Sequence, residues 1–216
     1  MNQNLKKRFY TSLILFLILY FMFVSQFVLG YFLIIIGVIS ILEFIKMNSI
    51  IFRKNPFFFN LLNTFFIIYI SFFCLTFFIS TSFENLKDLI FLILLTCVAS
   101  DLGGFLFGKI LKGPKLTKIS PKKTISGAIG SIVLSILFIS TFTYLLSNIF
   151  TYYIILIGLL ISIGSQLGDL LFSFMKRKSL LKDTGKFLPG HGGVIDRIDS
   201  ILIGIPVGLI GFILIH

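Results

Sequence analysis

The chain has 216 residues, of which 57% are hydrophobic and 12% charged, with 19 Lys and Arg against 8 Asp and Glu. Several apolar runs exceed the roughly 18 residues that mark a transmembrane helix. That excludes an ordinary soluble domain. The two cysteines, Cys74 and Cys97, lie inside apolar runs and read as small buried hydrophobes rather than a disulfide or metal pair.

Hydropathy predicts an all-α, polytopic integral membrane protein with about seven transmembrane helices. The spans are approximately 9–25, 28–46, 57–80, 88–109, 124–147, 152–175 and 199–215. The first follows Lys6-Lys7-Arg8 without a small-residue cleavage site, so it is expected to stay uncleaved. The first two should form a tight hairpin turning near Ser25–Gly30. One helix through both would far exceed a bilayer at about 1.5 Å per residue. The third is Phe and Ile nearly all round and suits a lipid-facing position. The last four carry small residues at spacings of four: Ser100, Gly104, Gly108; Gly127, Ser131, Ser135; Gly158, Ser162; Gly204, Gly208. Such stripes let helix backbones approach closely. Residues 1–87 are therefore expected to be peripheral helices. Residues 88–216 are expected to form a catalytic core with two cytoplasmic basic loops.

Charge sets the orientation. With the N-terminus in the cytoplasm, all but Lys87 of the 19 basic residues fall inside, as the positive-inside rule demands. The C-terminus is then outside. The basic face would attract the anionic leaflet and any anionic substrate.

Chemistry concentrates between Ser165 and Ser200, which holds Asp169, Asp183, Asp196 and Asp199 among the eight acids. Asp169 and, further upstream, Asp101 lie within apolar spans. A carboxylate there is costly unless paired, metal-bound or facing a wet cavity; the competing reading is glue between helices. On the sixth span Ser162, Ser165, Gln166, Asp169, Ser173 and Lys176 share one face at helical spacing. Asp196 and Asp199 share a face where the seventh span begins, and either could simply cap that helix. Gly192 and Gly193 precede them, and glycines with a helix start can bring backbone N–H groups to a phosphate. His191, beside Lys182, Lys186 and Arg197, could donate to that phosphate. The loop Ile119–Gly127 reads as a positive anchor or as a second phosphate clamp.

These residues resemble a known family. Ser173-Phe174-Met175-Lys176-Arg177, then Lys182-Asp183-Thr184-Gly185, Leu188-Pro189-Gly190-His191-Gly192-Gly193 and Asp196-Arg197-Ile198-Asp199-Ser200 are similar to the signature of phosphatidate cytidylyltransferases. Ser120-Pro121-Lys122-Lys123-Thr124 resembles their second motif, and Asp101 stands at the family's Asp before a small-residue helix. The resemblance runs from about Asp101 to the end. The chain departs from the family at Leu102, Phe105, Lys109, Ile125 and Ser126, and it is shorter than typical members.

The resemblance implies that CTP and phosphatidate yield CDP-diacylglycerol and pyrophosphate, an early step of phospholipid biosynthesis in the cell (inner) membrane. It implies catalytic roles for Asp101, Asp169, Lys182, Asp183, Asp196 and Asp199. Mg²⁺ would be the cofactor, on Asp169, Asp196 and Asp199. Substrate would be bound by Ser120, Lys122, Lys123 and Thr124 in one loop. The second set would be Ser165, Lys176, Arg177, Gly190, His191, Gly192, Gly193 and Arg197. Partners are CTP and bilayer phosphatidate; a homodimer is compatible, and nucleic acid is not expected. Rival readings are a CTP-dependent polyprenol- or phytol-type lipid kinase and a transporter with intramembrane carboxylates. The kinase would release CDP instead of pyrophosphate.

Overall fold

The computed structural model describes residues 14, 17–117, 120, 123–148, 151–185, 187 and 192–215. Among them it is all helical. α1 covers 17–24. It is followed by α2 (Gln26–Ile51), α3 (Pro56–Ser80), α4 (Glu84–Leu111), α5 (Ile125–Ser147), α6 (Tyr153–Lys178) and α7 (Ile195–Ile215). α2 to α7 are each long and apolar enough to cross a membrane, as an integral membrane protein requires.

Local chemistry sets the ends. Pro56 stands in the first turn of α3, where its missing N–H costs nothing. Thr124 caps α5 by accepting a hydrogen bond from Gly127 N at 3.1 Å. Asn148 ends α5 in the left-handed region at φ 55°.

Several boundaries differ from the hydropathy reading. The break between the first two helices is Ser25 alone, extended at φ −124°, so Gly30 is helical and not a turn residue. Its space is taken by Phe78, whose ring lies 3.0 Å from where a Cβ would stand. α4 runs beyond the expected 88–109, because its polar ends still satisfy helix geometry while lowering hydropathy. For the same reason α7 begins at Ile195 rather than at 199, which puts Asp196 in its first turn.

Chain contacts divide the molecule into two compact units, Met1–Lys87 with Met175–Ile198, and Asp88–Phe174 with Asp199–His216. In the first, α2 and α3 pack through stacked Phe44 and Phe66, with ring centroids 3.8 Å apart. Buried Asn48 donates to Asn63 Oδ1 at 2.8 Å. With lipid outside, such packing and interhelical hydrogen bonds hold helices together, at about 1 kcal/mol per bond.

The second unit is held by small residues. A Cβ on Gly103 would fall on the Gly130 carbonyl, and one on Gly104 would lie 2.7 Å from Ser131 Oγ. α4 and α5 therefore touch backbone to backbone. Ser135 Oγ donates to Gly158 O at 2.7 Å, joining α5 to α6. The Ser100 and Ser162 hydroxyls are 2.9 Å apart, joining α4 to α6. α7 enters through Gly204, packed against Cys97 and Ser165, and Gly208, packed against Ile93 and Ile161.

Candidate functional site

The second unit contains a cavity of about 300 Å³. α4 contributes Asp101, Gly104 and Phe105, the following loop Ser120, Lys123 and Thr124, α5 Gly127 and Ser131, and α6 Gln166 and Asp169. The loop reaches it because its two ends pair. Leu116 N donates to Lys123 O at 2.8 Å and Ile125 N to Pro114 O at 3.0 Å. That sets Lys123 at the mouth of α5, where its Nζ meets Asp169 Oδ2 at 2.7 Å.

Asp101 opens onto the cavity and accepts from Ser200 Oγ at 2.7 Å. Gln166 is oriented by the two bonds its amide nitrogen donates. Its Nε2 bonds Ala128 O at 3.3 Å and Ser162 Oγ at 3.1 Å. Asp199 is buried; its Oδ1 accepts from Ser200 N at 3.1 Å.

The first unit holds the signature turn. Asp196 Oδ2 accepts from Gly193 N at 3.0 Å, Thr184 N at 2.9 Å and Thr184 Oγ1 at 3.1 Å. Its Oδ1 accepts from Lys176 Nζ at 2.7 Å. Gly192 sits at φ 86°, in the left-handed region.

The start of α7, expected to offer bare N–H groups to a phosphate, is already capped. Glu43 of α2 reaches it: Oε1 accepts from Val194 N at 3.0 Å, and Oε2 from Ile195 N at 3.0 Å and Thr184 Oγ1 at 2.7 Å. Sequence reasoning missed Glu43 and Thr184. The rule that marks Asp101, a carboxylate within an apolar run, would have found Glu43 as well.

The expected site residues thus fall into groups. Asp101, Ser120, Lys123, Thr124 and Asp169 share the cavity. Lys176, Gly193 and Asp196 share the turn, while Arg177, Lys182, Asp183 and Arg197 are exposed. Ser165 is fully buried among helices and is not part of the cavity lining. Lys122, Lys186, Gly190 and His191 lie outside the described residues.

Mg²⁺ prefers oxygen donors and, with substrate phosphates present, needs only a carboxylate or two. The donor chemistry fits. Asp169 Oδ2 and Asp196 Oδ1 each already hold a cation, a lysine ammonium, at 2.7 Å. Among the described residues no three His, Cys, Asp or Glu gather into a ready cage.

The chain is 44% identical over 113 residues to a phosphatidate cytidylyltransferase of Helicobacter pylori, covering 52% of this chain and 42% of that protein. It is 38% identical to those of Staphylococcus aureus, over 133 residues, and Staphylococcus epidermidis, over 135 residues. Each staphylococcal match covers 61% of this chain and 51% of the relative. The matched part is thus about half the length of these relatives. A family model described as the cytidylyltransferase family matches residues 53–214. With three quarters of its length inside that match, the chain belongs to the cytidylyltransferase family.

Proposed function

We propose that this protein transfers the cytidylyl group of CTP to phosphatidate, giving CDP-diacylglycerol and pyrophosphate. The observation that carries this reading is the cavity that Lys123 of the loop before α5 lines together with Asp169 of α6 and Asp101 of α4. A lysine and two carboxylates lining one cavity among membrane-spanning helices suit a reaction between a bilayer phosphate and a soluble nucleotide.

The chemistry needs little from the protein beyond placement. A phosphatidate oxygen, ionised near neutral pH, attacks the α-phosphorus of CTP. The bond from that phosphorus to the bridging oxygen of the β-phosphate breaks, and pyrophosphate leaves with the electron pair. No proton has to be removed from the nucleophile. The cavity's described lining supplies carboxylates and a lysine, which suits such a step. Catalysis is then positioning and charge neutralisation.

Lys123 would neutralise a substrate phosphate, moving off Asp169 as it does so. Thr124 and Ser120 would orient that phosphate through their hydroxyls. Asp169, Asp196 and Asp199 are the carboxylates we propose for Mg²⁺, which when bound would offset the phosphate charge. Gln166 and Ser200 hold the cavity walls and Asp101 in place.

We also propose the cell (inner) membrane as the location, with the N-terminus and both basic loops cytoplasmic and the C-terminus outside. The loop charges support this through the positive-inside rule.

The test is purified protein with labelled CTP, phosphatidate and Mg²⁺. A CDP-lipid with stoichiometric pyrophosphate is expected. CDP with a newly phosphorylated lipid alcohol would instead make the protein a lipid kinase.

A further inference from the structure

Glu43 is an unusual way to cap a helix. α7 starts after Val194, which has no side-chain acceptor, so the chain does not cap this helix with its own Ser, Thr, Asp or Asn. The cap comes from another helix, by a carboxylate placed inside an apolar span, where an acid is costly. The surroundings are shaped to admit it. A Cβ on Gly185 would fall on Glu43 Oε1, and one on Gly193 would stand 2.5 Å from Glu43 Oε2 and on the Thr184 hydroxyl.

The Thr184 hydroxyl lies between two acids, 2.7 Å from Glu43 Oε2 and 3.1 Å from Asp196 Oδ2. Glu43 takes the N–H groups of Val194 and Ile195, and Asp196 takes those of Thr184 and Gly193. The two carboxylates divide these donors between them. Asp196 keeps one oxygen for Lys176. If Glu43 were absent, Asp196 would be the nearest acceptor left to the Thr184 hydroxyl. The turn would then be free to rearrange around it.

We propose that Glu43 is a positioning residue of the nucleotide site: it holds Thr184, Val194 and Ile195 so that Lys176, paired with Asp196 Oδ1, stays placed for the phosphates of CTP. This rests on the cytidylyltransfer reading above. In this role Glu43 acts through Thr184 and the backbone at the start of α7.

The experiment compares the full chain with Glu43→Gln, Thr184→Val and Thr184→Ser, and with Phe66→Leu as a control. Phe66 stacks on Phe44 in the same unit. Each variant is scored for melting temperature and for KM of CTP and of phosphatidate. Glu43→Gln and Thr184→Val should raise KM for CTP on the order of tenfold, the size of a lost hydrogen bond to a charged group. KM for phosphatidate should hold, and Thr184→Ser should restore the wild-type value. Phe66→Leu should lower the melting temperature and leave KM for CTP alone. If Glu43→Gln does not fold, the two Thr184 variants decide. A wild-type KM for CTP in Thr184→Val, or an equal rise in Phe66→Leu, would overturn the proposal. A wild-type protein that makes no CDP-lipid would overturn the underlying reading, and this proposal with it.

Discussion

Lys123 and Asp169 form an ion pair of 2.7 Å, one from the loop before α5 and the other from within α6. Each side chain is 28% exposed, so the pair is neither sealed nor fully solvated. A cation and an anion held together at a cavity wall can be parted by a substrate that carries both a phosphate and a metal ion.

The first expectation concerns the anion. Asp169→Asn keeps the shape and removes the charge. It should abolish turnover, with the melting temperature near wild type, and EDTA should silence the wild-type enzyme until Mg²⁺ is returned. Near-normal activity in Asp169→Asn would remove this residue from the ligand set.

The cation should behave differently. Lys123→Ala should raise KM for a phosphate-bearing substrate by about tenfold, as expected for a lost charge-assisted hydrogen bond. If Lys123 serves only as a positive-inside anchor, the variant should insert poorly and its inserted fraction should show unchanged kinetics. Insertion and KM are measured on the same preparation.

Asp196 ties a turn together and is also a proposed ligand, and these roles separate in one variant. Its pair with Lys176 is largely buried, with side chains 15% and 8% exposed. Asp196→Asn should therefore cost about 3 kcal/mol, as breaking a buried pair does, seen as a lower melting temperature. A ligand role adds an equal fall in kcat and kcat/KM, of about a thousandfold, in the folded fraction. We expect both. Asp199→Asn should give a smaller kinetic loss of the same sign. An inactive Asp199→Asn beside an active Asp196→Asn would reverse the two assignments.

Gly103 tests the contact between α4 and α5. Gly103→Leu must push the two backbones apart, because even a Cβ would fall on the Gly130 carbonyl. Overpacking of this kind costs about 2 kcal/mol. Both the melting temperature and the activity should drop, since Gly104 and Gly127 next to the contact line the cavity. An unchanged melting temperature would show that the helices do not need this approach.

Orientation can be read by cysteine labelling after Cys74 and Cys97 are replaced. Leu180 is the better probe than its neighbour Ser179, being 92% exposed where Ser179 is 2%. Leu180→Cys should react with an impermeant reagent only when the cytoplasmic face is open. Reaction from the outside alone would invert the topology.

Much of this was legible in the sequence, for physical reasons that differ by element. The spans follow from hydropathy because the bilayer admits few other solutions. Asp101 and Asp169 stand out because charge is scarce in such spans. Helix ends were less legible. Asp196, Arg197 and Asp199 depress the hydropathy of α7's first turns without ending the helix. Gly30 was read as a turn because a glycine that permits a turn and one that admits a neighbouring ring look the same in one dimension. Glu43 meeting Thr184 and Val194 joins positions 141 and 151 residues apart, a relation no local pattern contains.

The close approach of α4 and α5 has a consequence for binding thermodynamics. Where Gly104 and Gly127 line the cavity, the wall is main chain already fixed by helix geometry. A side chain that must be immobilised on binding costs about 0.5–1.5 kcal/mol of lost rotamer freedom. Here there are no rotamers to lose along that stretch, and Lys123 and Gln166 are already restrained by Asp169 and Ala128. A ligand entering this cavity meets walls whose entropy was spent when the helices folded.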